Sequence, residues 1–198
     1  MLNLSAIFAT FPVLETARCV LRPMTIDDTE DLFHFMSDSR VTRYLARAPM
    51  ASQAEALARI EDYHKTFQRQ EGIPWGISHR ASGKLIGTCV FWHLVPEHDR
   101  AEVGYSLSPD YWGQGLATEV VSAELSYGFM QMGLHSVEAQ IDPNNQASRR
   151  VLEKLGFAQE GYFHENYYDP IKEQYSDTPV FSLLKGEWMS RTAKEPGN

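Results

Sequence analysis

The chain has 198 residues, enough for one domain with a sizeable core, and its 43% hydrophobic and 22% charged content is ordinary for a soluble globular protein. Its 18 basic and 26 acidic residues give a net charge of −8, which argues against DNA or RNA as the main partner and weakly favours a cationic acceptor such as an amine. Cys19 and Cys89 are too few for a disulfide framework and lack metal-ligand spacing, so both are expected as small core residues and no metal is implied. No apolar run reaches the roughly 20 residues of a membrane span. The first residues show no basic segment followed by an apolar one, and a reducing cytoplasm is the expected compartment.

Arg18 to Arg22 alternates as a strand and ends at Pro23. Thr25 to Asp28 has capping-box character and predicts a helix through about Met36. Ser52-Gln53-Ala54-Glu55 is a full capping box that predicts a second helix to about Gln70, closed by Gly72. Trp75 to His79 reads as a strand, Ala81 to Lys84 as a turn, and Leu85 to His93 as the next strand. Pro96 to Asp99 is a polar connection to the strand Ala101 to Leu107. A stripe of Ala117, Val120, Val121, Leu125, Gly128, Phe129 and Met132 predicts a helix with one buried face, stopped by Gly133. Val137 to Ile141 is a short strand, and Gln146 to Leu155 a helix stopped by Gly156. Two late strands are expected around Phe157 to Phe163 and Pro179 to Leu184. Residues 1–189 form the expected single domain, and 190–198 a flexible polar tail. The order predicts an α/β domain with a mixed sheet: antiparallel hairpins over 74–107 and one parallel crossover over 101–141.

Tyr111-Trp112-Gly113-Gln114-Gly115-Leu116-Ala117-Thr118-Glu119 lies between that central strand and the long helix. A glycine turn opening a helix is a natural anion site, because free N–H groups and the helix dipole point at the ligand. A dinucleotide fingerprint fits poorly. Thr118 stands at the third glycine position, and three strands and two helices precede the strand that leads into the turn. A nucleotide-triphosphate P-loop fails because no Gly-Lys-Ser/Thr follows.

A second element is Asp142-Pro143-Asn144-Asn145-Gln146-Ala147-Ser148 running into Arg149-Arg150-Val151-Leu152-Glu153-Lys154-Leu155-Gly156-Phe157. With Glu102-Val103-Gly104-Tyr105-Ser106-Leu107 and the glycine turn, it resembles the GNAT superfamily of acyl-CoA-dependent N-acetyltransferases. Phe11 to Thr16, Val20 to Pro23 and Phe181 to Trp188 are similar to its RimJ/RimL-type branch, which acetylates protein N-termini.

The resemblance implies a GNAT fold: a mixed, mostly antiparallel central sheet with a splayed V between its two central strands, and helices on both faces. It implies acetyl-CoA as cosubstrate, held at its pyrophosphate by Trp112, Gly113, Gln114, Gly115, Leu116, Ala117 and Thr118. Trp112 stands where the family has Gln or Arg, and is expected as an apolar anchor of the loop. The pantetheine arm is expected to pair with the backbone of Tyr105, Ser106 and Leu107, the amide near Ser106 facing the thioester oxygen. Asn145 is expected on the pantetheine arm, or as a plain N-cap, or both. Ser148 is expected near the sulfur, or as a small residue on a packed face with Val151, Leu152 and Leu155; because Leu152 stands where many members have a general-acid tyrosine, Ser148 or water is left as the proton donor.

Glu102 is the candidate general base, or else a surface or salt-bridged carboxylate; His93 and His98 either reach the acceptor side or are surface or core polar residues. Arg149, Arg150 and Lys154 are candidates for the 3′-phosphate or a solvated helix face. Tyr162, Tyr167, Tyr168, Tyr175 and Asp177 either shape an acceptor pocket or pack a hairpin. The expected reaction is direct acetyl transfer to a primary amine, a protein N-terminal α-amine first and a small amine second. A non-catalytic CoA-binding module is the alternative of another class. Monomer and homodimer are both compatible with the resemblance.

Overall fold

The computed structural model describes residues 1–193. Its centre is an eight-stranded sheet in the order β1-β2-β3-β4-β5-β6-β8-β7. The strands are β1 (Leu14–Glu15), β2 (Cys19–Arg22), β3 (Ile73–His79), β4 (Leu85–Val95), β5 (Arg100–Leu107), β6 (Ser136–Gln140), β7 (Ala158–Asp169) and β8 (Gln174–Leu184). The helices are α1 (Leu4–Ile7), α2 (Thr29–Met36), α3 (Ser39–Thr42), α4 (Gln53–Gln68), α5 (Leu116–Tyr127), α6 (Gln146–Leu155) and α7 (Lys185–Thr192). Every strand pair is antiparallel except β5–β6, the predicted crossover around α5.

Strand alternation sends two sets of side chains to opposite faces. Trp75, Ile77, Phe91, Val103 and Leu107 join Val120, Val121, Leu125 and Phe129 in the larger core. Met24 and Leu85 join Leu32, Phe35 and Ile60 beneath α2 and α4. The close approach there is built on Gly76, where a Cβ would stand 2.6 Å from both Leu85 and Met24. Helices therefore cover both faces.

Several elements differ from expectation. The helix predicted to Met132 widens into a π-helical turn over Gly128–Met132. A Cβ on Gly128 would meet Leu134 at 2.8 Å and Phe91 at 2.9 Å, so the chain packs its own backbone onto the sheet at this point. The late strands extend much further, into a hairpin reaching Asp169 and Gln174. Its tip is tied back by Lys172, whose Nζ lies 2.8 Å from Asp142 and 3.1 Å from Asp169. The first residues of the expected tail, 190–192, belong to a helix. Helix α7 continues to Thr192, anchored by buried Trp188 beside Phe129. The rest of that tail, 194–198, lies outside the described residues. Among the described residues no helix is long and apolar enough to cross a membrane.

Candidate active site

The sheet opens where the motifs meet. Strands β5 and β6 are in register only at Arg100/Ser136, Ala101/Val137 and Glu102/Glu138. From Val103 onward β5 keeps β4 as its only partner among the described residues, and its other edge faces a slot between diverging strands. The glycine turn and α5 lie at the end of β5, and α6 follows β6, so the slot lies between the two sequence motifs.

The turn presents an array of amides. Among the described residues, no protein acceptor takes the N–H of any residue from Gly113 to Thr118; the first bond of α5 is Glu119 N to Gly115 O, at 3.1 Å. Gly115 is the N-cap with φ +77° and no side-chain cap, and Gly113 has φ +72°. That left-handed backbone suits glycine. A helix start left uncapped beside glycines is an anion site.

Arg18, unforeseen from sequence, organises this turn. Its Nη1 donates to the Gln114 carbonyl at 2.9 Å, and its Nε and Nη2 both reach Glu119 Oε2 at 2.7 Å. The first contact turns the Gln114 carbonyl toward the β1–β2 connection. The second neutralises the acid in the first turn of α5, which would otherwise oppose a phosphate. Trp112 also anchors the loop, but by hydrogen bonding rather than apolar burial. It is 46% exposed, and its indole N–H donates to the Leu107 carbonyl at 2.8 Å.

At the start of α6, Asn145 Oδ1 accepts from Ser148 N at 3.0 Å, an N-cap that leaves the amide nitrogen without a protein acceptor among the described residues. Ser148 Oγ lies 2.8 Å from the Tyr105 hydroxyl, and Leu152 is fully buried. Ser106 points to the other face of β5, its Oγ 3.0 Å from Thr88 Oγ1.

That other face carries Glu102, whose side chain is 9% exposed. Its Oε2 is 2.8 Å from His93 Nδ1. His93 has φ +44° at an irregularity between Trp92 and Val95, and its ring stacks on Trp92 with centroids 5.1 Å apart. A non-glycine residue held in the left-handed region stores strain, here where the imidazole meets the carboxylate. The structure thus joins Tyr105 to Ser148 and His93 to Glu102, on opposite faces of β5.

A model of the acetyltransferase (GNAT) domain matches residues 18–158. The chain belongs to the GNAT acetyltransferase family. The uncharacterized N-acetyltransferase YoaA of Bacillus subtilis (strain 168) is 40% identical over 175 residues, covering 88% of this chain and 98% of the relative. Two relatives are 26% identical. One is YdaF of the same organism, described as a candidate ribosomal N-acetyltransferase, matched over 85% of this chain and 91% of its own length. The other is the spermidine N(1)-acetyltransferase of Escherichia coli (strain K12), matched over 89% and 91%. A crystal structure of a GNAT-family acetyltransferase from Bacillus anthracis superposes with a TM-score of 0.79 at 26% identity, covering 89% of this chain and all of that one. The chain is accordingly an acetyl-CoA-dependent N-acetyltransferase.

Several of the remaining side chains singled out in this GNAT acetyltransferase have other partners. Arg149 lies over Phe181 at 5.0 Å and donates to Gln159 at 3.0 Å. Tyr162 donates to Asp177 at 2.8 Å, and Tyr168 meets Tyr175 edge-on at 5.4 Å, so these residues staple the β7–β8 hairpin. His98 is exposed in the turn before β5. Sequence reasoning also missed Glu124 on α5, fully buried, with no partner among the described residues for either carboxyl oxygen beyond the neighbouring Cys89 thiol, and pushed well above the ordinary carboxylate range by burial. Its place on the stripe between Val120/Val121 and Leu125 was a visible signal.

Proposed function

We propose that this enzyme moves an acetyl group from acetyl-CoA directly to a protein or peptide N-terminal α-amine, as the RimJ/RimL-type branch does. The observation that carries the reading is the row of unpaired amides from Gly113 to Thr118 beside the open edge of β5. That combination suits a pyrophosphate continued by an extended, amide-bearing arm. The cosubstrate supplies an activated acetyl thioester. Its pyrophosphate is assigned to the turn from Trp112 to Thr118. Its arm is assigned to the β5 edge at Tyr105, Ser106 and Leu107, and to the free amide nitrogen of Asn145.

Glu102 takes the proton from the attacking amine, directly or through water. An α-amino group, with a pKa near 8, yields it more readily than a lysine near 10.4. The amide near Ser106 stabilises the developing oxyanion, and Ser148 protonates the departing sulfur. Cys19 and Cys89 are poor nucleophiles for a covalent route. Both are buried, and burial pushes both thiols up.

The acceptor is assigned from exposure. His93, bonded to Glu102, has a side chain 72% exposed, and the β7–β8 hairpin carries exposed Tyr162 and Phe163. We read these exposed side chains as a surface that receives the end of a polypeptide. A small amine is the second reading, favoured by the net charge of −8 and the likeness to a spermidine acetyltransferase.

The test is Glu102→Gln, assayed by thiol release with a panel of short peptides and small amines. Turnover falls at least about 100-fold, the scale of general-base catalysis, while CoA affinity stays unchanged. An unchanged rate removes Glu102 from the mechanism. Turnover by the parent enzyme confined to small amines overturns the N-terminal acceptor.

A further inference from the structure

The side chain of Tyr105 does something that the backbone pairing of β5 does not require. Its ring crosses from β5 to the first turn of α6, with Oη 2.8 Å from Ser148 Oγ and 3.3 Å from the Ser148 carbonyl. A phenol has one proton to give; the shorter contact admits either hydroxyl as donor, and with Tyr105 donating its proton goes to Oγ. Ser148 Oγ has no other protein partner among the described residues, so its own proton remains uncommitted. The two ends are also unequal in mobility. Tyr105 is fixed in the interior of the sheet by its register with Cys89, whereas Ser148 stands in a terminal helical turn.

The surroundings keep the phenol a donor. Burial pushes it up to about 12, so it is uncharged at neutral pH. Glu124, the acidic group facing it from α5, has its carboxyl pushed well above the ordinary carboxylate range by burial. Beyond Ser148, Leu152 is fully buried and apolar, so the helix offers no acid of its own one turn further on.

We propose that Tyr105 is a positioning residue for Ser148: its hydroxyl donates to Ser148 Oγ, orienting the Ser148 proton and making it more acidic toward a leaving thiolate. This rests on the reading of Ser148 as the proton donor. As the carbon–sulfur bond breaks, its electron pair stays on sulfur and the Oγ–H proton moves to it. The charge left on Oγ is stabilised by the Tyr105 O–H until Oγ regains a proton from solvent, which has received the one the amine lost through Glu102. Chains of hydroxyls of this kind polarise one another.

The experiment is a double-mutant cycle of Tyr105→Phe and Ser148→Ala, with kcat, CoA affinity and thermal midpoint measured for each variant. Tyr105→Phe lowers kcat roughly five- to tenfold, the scale of one net hydrogen bond to a group gaining charge, with CoA affinity within about twofold. In the Ser148→Ala background the same substitution has no further effect on kcat. A readout independent of turnover is the Tyr105 Cζ resonance of enzyme carrying 13C-labelled tyrosine, identified by its loss in Tyr105→Phe. It shifts in Ser148→Ala.

Three results overturn the proposal, and they are distinguishable. Wild-type kcat in Ser148→Ala removes the underlying reading. Lost kcat in Ser148→Ala with wild-type kcat in Tyr105→Phe removes only the role of Tyr105. An equal loss from Tyr105→Phe in both backgrounds, or an unmoved resonance, makes Tyr105 a packing residue.

Discussion

Gly115→Ala tests whether the turn before α5 is a ligand site or merely a turn. Gly115 has φ +77°, where an L-residue costs about 1–2 kcal/mol. The nearest atom to the added Cβ is Arg18 Nη2 at 3.8 Å, an ordinary contact, so the penalty is one of backbone conformation alone. Gly83 is the matched control: its φ is +70°, and nothing lies within 4 Å of an added Cβ. The two sites differ in how firmly the backbone is held. The Gly83 turn is closed by Gly83 N to His79 O at 2.8 Å and His79 N to Lys84 O at 2.9 Å, so Gly83→Ala keeps its strain in every state. It lowers stability by about 1–2 kcal/mol, or about 2–8 °C in Tm for a chain of this size, and leaves CoA affinity alone.

At Gly115 the amides are unpaired and the flanking peptide units are held only through their carbonyls, by the exposed Arg18 and by the first bond of α5, so the free enzyme relaxes the strained conformation more readily than the closed Gly83 turn, and binding must restore it. The cost then falls on affinity, a weakening of roughly 5- to 30-fold, with a smaller loss of Tm. Calorimetric titration with CoA and thermal denaturation of both variants decide the matter. Gly115→Ala binding CoA as tightly as wild type, with the Tm loss of Gly83→Ala, refutes the reasoning.

Two further outcomes are expected. Arg18→Ala leaves stability within about 1 kcal/mol, because its ion pair is half exposed, but it uncovers Glu119 in the first turn of α5 and raises the KM for acetyl-CoA roughly two- to fivefold at unchanged kcat. The effect shrinks at high salt, and a KM equal to wild type at low ionic strength would contradict the assignment. Glu124 has a folded pKa raised by burial above its unfolded value near 4.3, so its stabilising contribution is complete below about pH 4.3 and declines as pH rises through the folded value. The Tm of Glu124→Gln minus that of wild type therefore increases between pH 4.5 and 8; parallel Tm curves would show that Glu124 does not titrate in this way.

What the sequence by itself determined was local. Gly115, Gly133 and Gly156 all occupy the left-handed region at helix ends, and Ser52 caps Glu55 as its spacing requires. The period of two separated Glu102 from Tyr105 onto opposite faces of β5. These features follow from steric and hydrogen-bond rules acting within a turn or a strand, so they are written in short windows of sequence. Helix α7 escaped notice because its N-cap is Leu184, and its anchor, Trp188, gains its meaning only against Phe129.

Only the tertiary structure decided the partnerships of the site. Arg18 and Gln114 are 96 residues apart, and Tyr105 and Ser148 are 43 apart. His93 meets Glu102 through an irregular hairpin and a positive φ that no propensity for histidine predicts. The slot itself arises because a parallel pair closes at Glu102/Glu138 and then diverges. Each of these depends on how distant segments pack around a common core, and a one-dimensional pattern carries no term for that.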